Sequence, residues 1–181
     1  MEEKSTSIFK TALINGIILG LALIVFDLIL HFAGLKFTKY VSLINYVIMI
    51  AVIIYATNNY KKNISTETFS YGNALGLATL IVVFGAIVSS IYTYFYVTAI
   101  DPEFLTKSIA AIEEELLQKG IPDEQIEMMV KMQSKMLKPA MVTITGFFGY
   151  ALIGFIISLI TSIFLKKVED PYQDAMQDIE E

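Results

Sequence analysis

Four stretches of this sequence are apolar for long enough to cross a lipid bilayer, and that limits the fold more than any other feature. A spanning helix needs about 20 predominantly apolar residues. The runs cover about residues 11–32, 40–57, 73–97 and 140–165, the second being the shortest. Backbone polar groups in lipid must be satisfied within their own segment, so each run is expected to be a helix. Composition agrees: 55% of the 181 residues are hydrophobic and they fall in blocks, whereas a soluble domain spreads them more evenly. The expected architecture is an all-α membrane protein, a single membrane domain over residues 1–181 with four transmembrane helices in a bundle.

Tyrosines crowd the ends of these runs. Tyr40, Tyr55 and Tyr60 surround the second, and Tyr92, Tyr94 and Tyr96 close the third. Amphipathic rings at headgroup level are the expected anchors. The first run is too long for a cleavable leader and no small-x-small site follows it, so it is expected to remain as a span.

Between the third and fourth runs lie polar residues 101–138, opened by "IDPEFL". Asp101 suits an N-cap, its carboxylate accepting from free backbone N–H groups. Pro102 suits the first helical position. Leu105, Ile109, Ile112 and Leu116 then recur with the spacing of one helical stripe. "KGIPDE" interrupts it: Gly120 fits the residue after a helix end, and Pro122 and Asp123 open a second helix. Ile126, Met129, Val130, Met136 and Leu137 give that helix a broad apolar face, broken by Gln133. Two amphipathic helices joined by a short turn make a helical hairpin. Such a hairpin buries little by itself: its stripes need each other, the bundle's outer end, a second copy or the lipid interface, and Ile112, Leu116, Met129 and Met136 form a candidate partner face. Methionines 128, 129, 132, 136 and 141 are expected as flexible apolar packing. A soft-metal site for Cu(I) is the sharper alternative, but no cysteine or nearby histidine assists it.

An even number of spans puts both termini on one side. Lys4, Lys10, Lys61, Lys62, Lys166 and Lys167 lie there, and Lys36, Lys39, Lys107, Lys119, Lys131, Lys135 and Lys138 lie opposite. The count is nearly tied. The paired lysines at the span ends favour cytoplasmic termini and an extracytoplasmic hairpin.

Within the first run, "FDLILHF" places Asp27 and the single histidine, His31, one helical turn apart on one face. Asp27 lies ~8 Å beyond the span's midpoint and so within the hydrocarbon. This polar pair has two readings. In one, Asp27 and His31 sense or relay protons. In the other, Asp27 bonds a polar group on a neighbouring helix, with Asn45, Ser89, Ser90 or Thr93 as candidates, and His31 sits wet at the interface. The other three runs carry no internal Asp, Glu or Lys, which weakens the case for an ion pathway. Helix contacts are expected at small residues: Gly16 and Gly20 in the first run, Gly72 and Gly76 in the third, and Gly146, Gly149 and Gly154 in the fourth.

Several functions are excluded by what is missing. All 13 basic residues are lysines and the net charge is −5, which argues against nucleic-acid partners, since these favour the arginine fork. There is no cysteine, and one histidine cannot build a multi-histidine metal site. No phosphate-binding loop, nucleophile elbow or zinc-protease helix occurs. No catalytic, cofactor-binding or metal-binding residue is therefore expected, and the chain reads as non-enzymatic. Ser65 or Thr66 suits the cap of a short interfacial helix, in the segment joining the second and third runs, in which Phe69 dips into lipid. An acidic tail, residues 168–181, is expected to be solvated.

The whole arrangement resembles a family of small bacterial inner-membrane proteins known only as a domain of unknown function. The matching pieces are Thr68-Phe69, the Tyr92–Tyr96 cluster, Ile100-Asp101-Pro102-Glu103-Phe104 and "GFIISLITSIFLKK" at 154–167. The resemblance implies a four-span protein of the bacterial inner membrane and brings no activity or site residue. The leading expectation is a small membrane scaffold or accessory protein that recognises a partner through its hairpin, also as a homo-oligomer. The alternative is a small proton-linked transporter or sensor using Asp27 and His31.

Overall fold

The structure is a computed structural model that describes residues 7–38, 40–63 and 69–166. The Ser65 or Thr66 cap and the acidic tail lie outside the described residues, whereas Phe69, expected to dip into lipid, is buried in the core beside Tyr60. Among the described residues six α-helices follow in order: α1 (Ile8–Ala33), α2 (Val41–Asn63), α3 (Tyr71–Phe95), α4 (Phe104–Gln118), α5 (Asp123–Met136) and α6 (Pro139–Leu165). A π turn, Tyr96–Ile100, extends α3. Four of these elements are long and apolar enough to cross a membrane: Ile8–Ala33, Leu43–Asn63, Tyr71–Ile100 and Pro139–Leu165. The chain is a multi-pass membrane protein.

The second span runs six residues beyond the end of the apolar run, to Asn63. Nothing in "NNYKKN" breaks a helix, and Tyr60 is buried against Phe69. Apolarity ends where lipid ends; the helix ends where its hydrogen bonds do.

Helix α3 is the centre of the bundle. It packs along α1 on one side and α6 on the other, and α2 closes the ring against both. The core is Leu19, Met49, Ile53, Leu77, Ile81 and Val82, all fully buried. Small residues bring the backbones together, because in lipid close van der Waals packing must drive association. A methyl added to Gly16 would strike Phe84 Cβ and approach the Ile81 carbonyl oxygen to 2.9 Å. One added to Gly20 would meet Val88 Cβ at 2.5 Å. Gly154 on α6 is pressed against Val82, and it starts a small buried stripe with Ser158 and Ser162.

Gly72 and Gly76 do not form the contact that their spacing suggests. A methyl at Gly76 would meet nothing within 4 Å, and one at Gly72 only Ser70 Oγ at 3.9 Å. The buried face of α3 runs instead through Ala74, Ala78, Ile81 and Gly85, about half a turn away. Gly146 and Gly149 likewise face open space.

Large apolar side chains point outward all around the bundle. Leu13, Ile17, Leu21, Val25 and Ile29 form such a stripe on α1, and Phe148, Leu152, Ile156 and Ile160 on α6. A surface of this kind suits lipid and not water.

Helices α4 and α5 pack on each other as a hairpin. Gly120 takes φ 71° between them, and the Ile121 and Gly120 amides bond the Leu116 and Leu117 carbonyls. This closes α4 in the manner of a left-handed cap. The other end differs from expectation. Asp101 is not the N-cap of α4: the helix begins at Phe104 and its cap position is Glu103, with no side-chain bond. Asp101 and Pro102 form a turn closed by the Phe104 amide on the Asp101 carbonyl, 3.0 Å. The Asp101 carboxylate is thereby released for other partners.

Candidate functional site

Asp27 and His31 meet their partners at the hairpin end, and the register of α1 on α3 puts them there. The two helices run in the same direction with an offset of 65 residues. Gly16 lies against Ile81, Gly20 against Gly85, Asp27 against Tyr92 and His31 against Tyr96. Eleven residues make close to three helical turns. Asp27 therefore stands above Gly16 and His31 above Gly20 on one contact face. The close approach at the glycines carries the polar residues into reach of α3.

Tyr92 donates to Asp27 Oδ2 at 2.7 Å. Lys36, in the loop after α1, places its ammonium 2.9 Å from the same oxygen. The Tyr96 hydroxyl and His31 Nδ1 are 2.7 Å apart. Tyr96 also reaches Asp101 Oδ2 at 3.4 Å. The π turn explains that contact: its i to i−5 bond, Asp101 N–H to Tyr96 carbonyl at 2.8 Å, widens the turn so that the fifth residue returns to the same side. Lys107 on α4 completes the chain, 3.1 Å from Asp101 Oδ1. Groups from α1, the following loop, α3 and α4 are thus tied into one root at the base of the hairpin.

Aromatic rings enclose it. Tyr96 is only 2% exposed. It meets Phe104 edge to face at 5.5 Å, and Phe37 stacks on Phe104 at 5.7 Å. The Phe37–Phe104 stack sets the α1–α2 loop and the hairpin at one end of the bundle. Beside the root lies a cleft of about 220 Å³, lined by Asp27, Lys36, Tyr92, Tyr96, Ser89 and Tyr150 among others. Ser89 Oγ and Tyr150 Oη are buried there without a hydrogen-bond partner.

Charge at the root follows from burial and pairing. Burial pushes the Lys36 ammonium below the ordinary lysine range, against the opposing pull of Asp27 and Asp101. Burial also works against ionisation of Asp101. The hydrogen bond and charge of Lys107, with the nearby His31 and Tyr96, outweigh it and hold the carboxyl below its usual range.

Asp27 and His31 share a face, yet they bond separate tyrosines and not each other. Of the neighbours that the sequence suggests for Asp27, Asn45, Ser89 and Thr93 line the cleft, but the bonds go to Tyr92 and Lys36. Of the six tyrosines expected as anchors, Tyr40 and Tyr55 around the second run and Tyr94 in the third are exposed, Tyr60 is buried, and Tyr92 and Tyr96 turn inward. Ile112 and Leu116 are half-buried, and Ile112 lines a groove with Phe37 and Phe104. Met129 is exposed together with Met128 and Met132, at 69% and 66% for the last two. Met136 is the last residue of α5. Among the described residues no group of three His, Cys, Asp or Glu is arranged to hold a metal ion. Sequence reasoning missed Lys36, Tyr92 and Tyr96 as partners of the polar pair. The signal that would have found the two tyrosines is the repeated four-residue spacing on both helices, 27 and 31 against 92 and 96; Lys36, in a loop, carries no such signal.

No curated protein and no solved structure matches the chain. A family model described as "Protein of unknown function (DUF4199)" matches residues 14–167. With most of its length matched, the chain belongs to that family.

Proposed function

We propose that this protein is a non-enzymatic membrane scaffold or accessory subunit whose hairpin recognises a protein partner. One observation carries the reading. The hairpin base is tied into the bundle by Asp101, Lys107 and Phe104, while α5 leaves Met128, Met129 and Met132 uncovered. A rooted base with an uncovered methionine face suits recognition, since methionine adapts to varied apolar partners. Both termini lie in the cytoplasm of a bacterial cell in this reading, with the hairpin on the outer side. Ile112 and Leu116 support the hairpin from within, and the contact surface is on α5.

A photo-reactive amino acid at Met129 tests this in native membranes. The expected result is a discrete protein adduct lost on Met128→Ser with Met132→Ser. Adducts with lipid alone would overturn the proposal.

The second reading, a proton-linked sensor, is favoured by the contiguous bonds from His31 through Tyr96 to Asp101. A transporter needs a path to the opposite side. Below Asp27 the core is Leu19, Leu77, Ile81 and Val82, which supports a local device at one end of the bundle. Partner adducts with the same pH profile in wild type, Asp27→Asn and His31→Ala would remove the sensor reading.

A further inference from the structure

The surroundings of the Lys36 ammonium are those of an organic-cation site. Its nitrogen sits 2.9 Å from the centroid of the Tyr96 ring and 4.8 Å from that of Phe104. Those two rings stand at 86° to each other and form a corner. Asp27 closes the third side at 2.9 Å. Faces of aromatic rings with a carboxylate are the chemistry that recognises alkylammonium groups, because ring quadrupole and formal charge attract the same cation. Tyr92 fixes the carboxylate through Oδ2, and Oδ1 has no bond among the described residues.

Lys36 reaches this corner from a loop, not from a helix, and its side chain is only 13% exposed. The loop leaves α1 through Gly34, whose φ of 69° is available to glycine at little cost. The cleft continues from the corner, and Ser89 and Tyr150 are among its lining residues. Their hydroxyls are buried beside it without a hydrogen-bond partner, which is costly; a ligand with a polar group would reach them by parting the cleft wall. The corner alone would suit an intramolecular lysine. A corner that opens into a cleft suits a longer molecule with a cationic end.

We propose that Asp27, Tyr96 and Phe104 form an alkylammonium-binding cage which the chain's own Lys36 occupies, and that an external amine enters by displacing it. The exchange is electrically neutral: one cation leaves the Asp27 carboxylate and another takes its place. The source of the amine is a free small molecule or an amine-bearing lipid headgroup; the recognised chemistry is the same.

Two measurements on the full chain in detergent micelles test the proposal, with n-butylammonium chloride as probe and sodium chloride at equal ionic strength as control. In the wild-type protein, acetylation of Lys36 is followed by peptide mass spectrometry. Displacement should raise Lys36 labelling severalfold and saturably relative to that of the exposed Lys119 in the same sample, the ratio correcting for reagent consumed by the amine itself. No change at Lys36 would overturn the proposal. In Lys36→Ala the cage is vacant, and butylammonium should bind roughly tenfold more tightly than to wild type. Adding Asp27→Asn should abolish that gain. Equal binding with and without the carboxylate would also overturn the proposal. Bilayer discs containing phosphatidylethanolamine or phosphatidylglycerol separate the sources: faster Lys36 labelling only with the former assigns the headgroup, and equal rates assign the free amine. These readouts do not involve the methionine face of α5, so they stand apart from the hairpin proposal.

Discussion

Replacing Gly16 by alanine should loosen the α1–α3 contact, whereas the same change at Gly76 should not, although both glycines belong to the same four-residue spacing. At Gly16 the added methyl collides with Phe84 Cβ and with the backbone at Ile81 O, 2.9 Å, and Gly85 N, 3.2 Å. None of these atoms moves unless the helices separate. Overpacking of this kind costs about 1–3 kcal/mol, or about 5- to 150-fold in the folded-to-unfolded ratio. At Gly85 the nearest atom is Leu19 Cδ2, 2.9 Å away and at the end of a flexible side chain, so Gly85→Ala should cost less. At Gly76 there is nothing within 4 Å, and alanine's greater helix propensity should add up to about 1 kcal/mol of stability. Reversible unfolding in mixed detergent micelles, followed by circular dichroism, gives all three values. The order should be Gly16→Ala, then Gly85→Ala, then Gly76→Ala, from most to least harmful. A Gly16→Ala variant within about 0.5 kcal/mol of wild type, beside a damaged Gly76→Ala, would refute the register of α1 on α3.

Tyr92→Phe removes the donor to Asp27 Oδ2. A hydrogen bond to a charged group contributes about 1.5–3 kcal/mol, so that loss is expected in the same assay, and a cycle with Asp27→Asn should show the two changes to be coupled. Asp101 has a folded-state pKa below its ordinary value of 3.8. Its contribution is therefore complete above that value and is lost as pH falls below it through the folded-state value. A fluorophore on Gln118→Cys should report loosening of the hairpin at acid pH, and in Asp101→Asn that acid step should be missing.

The four spans were legible because lipid demands long uninterrupted apolar runs, and these are visible one residue at a time. The hairpin was legible from the periodicity of Leu105 to Leu116 and from Gly120. Less of the root was visible. Asp27 and His31 stood out as polar residues in an apolar helix, but their partners depend on helix register, which no single run encodes. Tyr92 and Tyr96 resemble interfacial anchors because the same amphipathic ring serves lipid headgroups and buried carboxylates equally well. Lys36 reads as a loop charge until the loop folds back over the Tyr96 ring. Asp101 and Pro102 have the residue types of a helix start, and the π turn diverted them to another use. Gly72 and Gly76 show the reverse: a contact motif without a contact, because spacing alone does not say which face of a helix is buried.

The central claim is that the root of Asp27, Lys36, Tyr96 and Asp101 holds the hairpin in one posture on the bundle. The chain has no cysteine, so spin labels at Leu43→Cys on α2 and Gln118→Cys on α4, both exposed positions, report only that geometry. Electron-spin distance measurement in lipid discs should give a single narrow population in the otherwise native chain, broadened when Tyr96→Phe breaks the root. A broad distribution in the native chain, unchanged by Tyr96→Phe, would contradict the account.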